Sequence, residues 1–351
     1  MQAIGCASEI ENNVQHFRSF IDAQLLEISQ NGRAFTVNSH DCSTHSHWRL
    51  TGENHLVQLE SSTDVEASHE GRHSLAVIDA VFACNPGIGH VHFSGSPHHV
   101  EHLLHTGVAV PQGDHGAVVA REAFWQSPRI WHSTNPAPYP TRYVNAQGTR
   151  HPLRRPKTSG VLYQRHVPWL NKTLSFRTLD PKDDLPLFHK WMNDPRVAHF
   201  WQEEGDLEQH KTYIQTLQGM PHQQSVVGCF DDVPFGYFET YWAKEDRIAP
   251  FCNPGDHDRG WHALVGEPTY RGRAYLSAWL PSLAHYLFLD DCRTERVVVE
   301  PRVDNLKMIG NLSKCGYALL KEFSFPHKRA ALCVISRERF FEESLWIPKA
   351  N

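Results

Sequence analysis

The sequence predicts a mixed α/β protein, an α+β arrangement around a mixed sheet, with an accessory N-terminal α/β domain. Three observations carry this expectation. In the C-terminal half, strand-length apolar stretches alternate with segments of helical apolar spacing. SVVGCF and FGYFETYWA flank the turn sequence Asp231-Asp232-Val233-Pro234, the pattern of an antiparallel hairpin. VVVEP, beginning at Val297, is a short continuous apolar run of the kind buried on both faces, as a parallel strand is.

The 351 residues favour two domains. The stretch Thr134 to Gly160 is rich in Pro, Arg and small polar residues and has no sustained apolar period. It divides the chain into an N-terminal domain over residues 1–150, a linker over 151–160 and a C-terminal domain over 161–351. The first half is weakly marked: a helix is expected around Ile10 to Leu26, then the apolar stretch LAVIDAVFA, then AVVAREAFWQSP. No solenoid-type repeat is evident. In the second half LSFRTLD reads as a strand, and Leu185 to Asn193 as a helix stopped by Asp194-Pro195, because proline disfavours helix in the residue before it. Asp206 is a good N-cap for a helix through LEQHKTYIQTL. After the hairpin come the strand WHALVG and a helix from Arg273 to Leu289, in which Pro281 predicts a kink. The strand VVVEP is followed by a helix capped by Asp304 or Asn305 and ended by Gly316, and ALLKEFSF and ALCVIS close the sheet.

Lys plus Arg number 34 against 39 Asp plus Glu, a net charge of -5, which calls for neither nucleic acid nor a membrane surface as partner. No apolar run reaches the length of a membrane span and the start lacks the features of a signal peptide, so a cytoplasmic location is expected. The eight cysteines include no C-x-x-C pair, as reduced thiols would. Among 25 histidines, the tract from His90 to His105 resembles a metal-binding run, yet no ligand spacing fixes a geometry, and no metal is expected.

The strand, loop and helix WHALVGEPTYRGRAYLSAWL form the first unit that carries chemistry. A helix N-terminus after a glycine turn exposes unpaired N–H groups that favour an anion such as pyrophosphate. Gly272 permits close approach of the backbone, and Arg271 and Arg273 add positive charge. An ordinary connection with solvated arginines is the duller alternative.

Hairpin, strand, phosphate-type turn, helix, strand and helix, in that order, resemble the acetyl-CoA core of the GNAT superfamily, whose turn has the form Gln/Arg-x-x-Gly-x-Gly/Ala. Thr269, Gly272 and Ala274 stand at those positions, so the first departs from the pattern. The words FHKWMNDPRVAHFWQEEG, GCFDDVPFGYFETYWAKEDRI, DRGWHALVGE and VEPRVDNLKMIGNLSKCGY are similar to the siderophore acyltransferases, most of all those acetylating N6-hydroxylysine in aerobactin biosynthesis. The likeness runs from about Tyr163 to the C-terminus, more faintly through AREAFWQSP, and implies that residues 161–351 are the catalytic GNAT domain and residues 1–150 an accessory α/β domain, with a degenerate GNAT-like domain as the alternative.

That resemblance implies an acetyl-CoA cosubstrate, a small N-hydroxylated amine as acceptor, a hydroxamate product and other siderophore-pathway enzymes as partners. It puts His262 where family members bind the hydroxamate-forming end, Asp304 at the general base, and Asn305 near coenzyme A. Val265, Gly266, Arg271, Gly272, Arg273 and Ala274 would hold the donor, with strand backbone near Val265 and Gly266 donating to the developing oxyanion. Many GNAT members have a tyrosine four residues before the glycine at 316 to reprotonate the thiolate; Leu312 stands there instead. Trp191, Asn193, Asp194, Arg196 and Trp201 in the first-helix word, and Glu239 and Tyr241 on the hairpin, are the acceptor-site candidates, although strand aromatics are usually packing. Arg196 has the fork for a carboxylate, against the alternative of a solvated loop residue. His262 and Asp304 likewise have plain structural alternatives, as a bonded strand histidine and a helix cap. N-hydroxycadaverine or N-hydroxyputrescine as acceptor, succinyl-CoA as donor, and a non-catalytic acyl-CoA-binding subunit remain alternatives.

Overall fold

The computed structural model describes residues 14–40, 43–52, 58–61, 67–94, 97–113, 116–134, 137–146 and 148–348. Contacts divide the chain into two compact units, Met1–Arg121 and Glu122–Asn351.

In the first unit, strands β1 (Gln15–Ile21), β2 (Gln24–Asn31), β3 (Ala34–Ser39), β4 (His45–Thr51) and β5 (Gln58–Ser61) lead to helix α1 (Ala67–Cys84). Strand β6 (His90–Ser94), helix α2 (Pro97–His105) and strands β7 (Ala109–Gln112) and β8 (Gly116–Ala120) follow. The helix expected around Ile10 to Leu26 is, within the described residues, the hairpin β1–β2. Asp22 and Ala23 turn it with φ of 50° and 62°, so this I′-like turn uses residues that carry no sequence signal for it. LAVIDAVFA lies in α1 and is buried from Leu75 to Phe82. The histidine tract forms β6 and α2, where buried His99 packs on Trp48 with ring centroids 5.2 Å apart. No metal-ligand cluster occurs among the described residues.

Between the units' sheets in sequence lie α3 (Arg121–Phe124), α4 (Pro128–Trp131) and the two-stranded ribbon β9 (Tyr143–Ala146) and β10 (Thr149–Pro152). The second sheet contains β11 (Val161–Val167), β12 (Lys172–Thr178), β13 (Gln223–Phe230), β14 (Val233–Trp242), β15 (Arg259–Val265), β16 (Arg296–Val299), β17 (Ala318–Ser324) and β18 (Arg329–Ser336). Its helices are α5 (Pro181–Met192), α6 (Pro195–Trp201), α7 (Leu207–Gly219), α8 (Ala249–Cys252), α9 (Arg273–Asp290), α10 (Leu306–Lys314) and α11 (Arg337–Glu342). The local signals act as expected here. Asp206 and Gln209 form a reciprocal capping box on α7, Asp231 and Asp232 turn the β13–β14 hairpin at positive φ, and Gly316 ends α10 at φ 91°. The helix α9 runs continuously through Pro281.

Residues 122–160 pack with the second unit, so the division falls ahead of the expected 151–160 linker. Trp125 stacks between Trp131 and Trp346 at 4.3 and 4.6 Å, and buried Arg154 donates to Glu245 at 2.5 and 2.7 Å while lying over Trp242. A fragment beginning at Val161 loses two fully buried tryptophans, each worth on the order of 3–5 kcal/mol. It is therefore expected to melt well below a fragment beginning at Glu122 in circular dichroism; equal melting would refute the assignment of this segment.

The two sheets share one plan. The strand orders are β1-β2-β3-β4-β5-β6-β8-β7 and β11-β12-β13-β14-β15-β16-β18-β17, with the parallel pair at β5–β6 and β15–β16. An 18-residue helix crosses over in each, α1 and α9, and a nine-residue helix follows, α2 and α10. They differ where chemistry would sit. A two-residue turn joins β2 to β3, whereas α5, α6 and α7 separate β12 from β13.

Candidate active site

β14 and β15 pair along their length, which sets Glu239 directly opposite His262 on the sheet face covered by α5 and α7. From Gly260 onward β15 diverges from β16: only Arg259 with Val297 and Gly260 with Val298 are paired. Glu300, just after the end of β16, reaches His262 of β15.

The result is a buried carboxylate, imidazole, carboxylate row. His262 Nδ1 lies 2.9 Å from Glu239 Oε2, and Nε2 lies 2.7 Å from Glu300 Oε1. Burial alone would lower the imidazole pKa, but the two carboxylates overcome it and push it up to about 10. His262 is therefore an imidazolium at neutral pH, with both N–H groups donating. Glu239 also accepts from Tyr213 at 2.6 Å, Tyr237 at 3.1 Å and Gln223 at 3.0 Å, which fills a carboxylate's acceptor sites. Glu300 accepts one further bond, from Tyr241 at 2.9 Å, and keeps acceptor capacity. Its burial would raise its pKa, but His262, Lys328 and Arg247 hold it well below the usual carboxylate range. His262 is the most exposed member, 17 % against 4 % for Glu239 and 0 % for Glu300, and its ring edge meets a cavity of about 730 Å³. Phe200, Trp201, Tyr213, Asn305 and Leu312 are among the lining residues.

The donor-side candidates converge on the turn into α9. Gly272 caps the helix at φ 116°, a conformation that side chains rarely adopt, and no side chain caps the helix N-terminus. Arg271 folds back on the strand: its Nε and Nη2 donate to the Val265 carbonyl at 3.2 and 2.9 Å, and Nη2 also to Gly266 at 3.1 Å. Only Nη1 has no partner among the described residues. Arg273 and Ala274 are exposed at the helix start. Buried Trp191 lies under Gly266, where a Cβ would meet its ring at 2.2 Å, and its indole donates to Glu267 at 2.8 Å. Trp191 thus supports the donor turn and does not face the acceptor cavity.

Other acceptor candidates have supporting places. Asn193 bonds both backbone groups of Gly205, fixing the loop before α7 at the cavity rim. Asp194 caps α6 through the Arg196 N–H, and Arg196, 63 % exposed, turns back to Asp194 instead of lining the cavity. Trp201 lines the cavity with its ring 6.3 Å from His262, and Tyr241 acts behind Glu300. Asn305 caps α10 by accepting from Met308 N–H at 3.2 Å. Asp304 is 52 % exposed and paired with Arg302, whose hydrogen bonds lower its pKa; it does not line the cavity. Glu300, Tyr213, Gln223 and Arg247 were not singled out from the sequence. A glutamate ending the apolar run VVVEP is the signal for the first, since a charge on a doubly buried strand requires a partner.

Residues 180–325 match the family described as an acetyltransferase (GNAT) domain. A Schizosaccharomyces pombe protein named as a lysine N-acyltransferase is 50% identical over 224 residues, 64% of this chain and 67% of that one. The N(6)-hydroxylysine O-acetyltransferase of Escherichia coli is 41% identical over 228 residues, 64% of this chain and 72% of the relative. A hydroxyornithine transacylase of Ajellomyces capsulatus is 38% identical, and the match spans 58% of its length. Among solved structures, an uncharacterized protein of Bacillus halodurans superposes with a TM-score of 0.51 and 32% identity, over 54% of this chain and 96% of that one. No helix among the described residues is long and apolar enough to cross a membrane.

Proposed function

Because the chain belongs to the siderophore acyltransferases of the GNAT superfamily, we propose that it transfers an acetyl group from acetyl-CoA to the hydroxylamine nitrogen of N6-hydroxylysine, giving a hydroxamate. The observation that carries the reading is the Glu239–His262–Glu300 row at the cavity wall, beside the wedge between β15 and β16. Acetyl-CoA supplies the activated acyl carbonyl. The uncapped α9 N-terminus and Gly272 suit its pyrophosphate, and unpaired β15 backbone suits a developing oxyanion. A hydroxylamine is largely neutral near pH 7, so its nitrogen can attack without prior deprotonation. As it attacks, its proton becomes strongly acidic, and even a carboxylate of lowered pKa accepts it. Glu300 has the free acceptor capacity for that proton, whereas Glu239 is saturated. Both N–H groups of the His262 imidazolium are held by the carboxylates, so what it offers the hydroxyl oxygen, which plain amines lack, is positive charge at the cavity wall.

Arg271 and Arg273 act on the donor in different ways: Arg271 shapes the turn and offers Nη1, while Arg273 brings charge to the α9 start. Alanine at either position is expected to raise the acetyl-CoA KM about tenfold or more with little change in acceptor KM. An unchanged donor KM in both variants would remove them from the donor site.

The test of the function separates nitrogen from oxygen as the acceptor atom, since the E. coli relative's name places the acetyl on oxygen. Thiol release from acetyl-CoA is followed with N6-hydroxylysine, and the product is treated with ferric ion. A hydroxamate chelates it and colours; an O-acyl hydroxylamine does not. Thiol release without colour would overturn transfer to nitrogen.

A further inference from the structure

Two opposite charges on the acceptor cavity make no hydrogen bond among the described residues. The Arg247 guanidinium, half exposed, lies over the Phe325 ring at 5.6 Å, and its nearest carboxylate oxygen, Glu300 Oε1, is 3.7 Å away. Glu203 uses its backbone carbonyl to accept from His210, which leaves its carboxylate unbonded. Other charged groups around the same cavity are engaged: Glu245 with Arg154, Arg302 with Asp304, and Lys328 with the Glu300 carbonyl. Partial burial and the nearby Glu239 raise the Glu203 pKa, and Arg247 and His210 lower it, so a further cation there favours the charged carboxylate.

A half-exposed guanidinium and a carboxylate, neither with a hydrogen bond among the described residues, complement a zwitterion on one cavity. We infer that Arg247 takes the α-carboxylate of the acceptor and Glu203 its α-ammonium, so that the enzyme selects amino-acid hydroxylamines over N-hydroxylated diamines. This rests on the acyl transfer proposed above. The reach is adequate. From hydroxylamine nitrogen to carboxylate carbon, extended N6-hydroxylysine spans roughly 7.5 Å. With Arg247 Nη2 3.7 Å from Glu300 Oε1 and a hydrogen bond of about 3 Å at each end, up to roughly 10 Å is available. The guanidinium fork matches two carboxylate oxygens, which an ammonium-ended diamine cannot offer.

The test compares the full-length wild type with Arg247→Ala and Glu203→Gln, using N6-hydroxylysine and N-hydroxycadaverine as acceptors. Both residues are exposed, so the variants are expected to melt as the wild type does. Arg247→Ala should raise the hydroxylysine KM about tenfold or more beyond any change in the N-hydroxycadaverine KM, while an effect on kcat through the Glu300 carboxylate, which Arg247 also faces, should be equal for the two acceptors. Glu203→Gln should weaken both acceptors, because both carry the ammonium. Equal effects of Arg247→Ala on the two acceptors, or wild-type preference for the diamine, overturn the inference while the acyl transfer stands. Calorimetric titration of the same two compounds reads the split without turnover. If neither is acylated, the functional reading fails, and the binding difference still decides whether Arg247 recognises a carboxylate.

Discussion

Replacing His262 by alanine is expected to cost about 3–5 kcal/mol of stability at pH 7, because it leaves two buried carboxylates facing each other without the cation between them. Acceptor turnover should collapse with it. The pH dependence distinguishes this account from simple loss of packing. In the wild type the His262 pKa is raised from 6.5 to about 10, so between these values the folded state holds a proton that the unfolded state has released. Its contribution is complete below pH 6.5 and is lost as pH rises towards 10, with a slope of up to about 1.4 kcal/mol per pH unit. Glu300 acts in the opposite sense: its lowered pKa contributes above its ordinary 4.5 and is lost in acid. In His262→Ala the alkaline loss should vanish, and stability should rise as pH falls and the stranded carboxylates take up protons. Calorimetric melting from pH 5 to 10 measures both profiles; parallel curves would dismiss the imidazolium.

The second large effect lies at Glu300. Glu300→Gln keeps the size and an acceptor for Tyr241 while removing the charge, and kcat is expected to fall by roughly 10²- to 10⁴-fold, the range for loss of a proton acceptor. Asp304→Asn, on an exposed side chain outside the cavity, should leave kcat within about threefold. Single-turnover rates at saturating donor decide between them. The reverse ranking would return the base to Asp304 and require the Arg302 pair to open on binding.

The second unit was legible because its local signals agree with its tertiary structure. Asp206 with Gln209, Asp231-Asp232 and Gly316 each mark a boundary by chemistry that acts within a few residues, and each acts as read. Asp22 and Ala23 carry no such mark, so the β1–β2 hairpin was hidden inside an apolar spacing that also fits a helix. In the site, His262 and Glu239 were named but their partnership was not: it depends on the register of β14 against β15, which no local pattern states. Glu300 depends on a third strand. Asp304 was expected as base because the family resemblance places the base there; in the structure it is exposed and bonded to Arg302, two residues away.

The support beneath the donor turn also has a thermodynamic meaning. Gly266 rests on the Trp191 ring, and Asn193, two residues further along the same helix end, holds Gly205 at the acceptor rim. If coenzyme A displaces Gly266, the indole has no room to stay behind, and the rim is pulled through Asn193. Donor and acceptor are then heterotropic ligands of one another, and by reciprocity the factor by which the first alters affinity for the second equals the factor in the other direction.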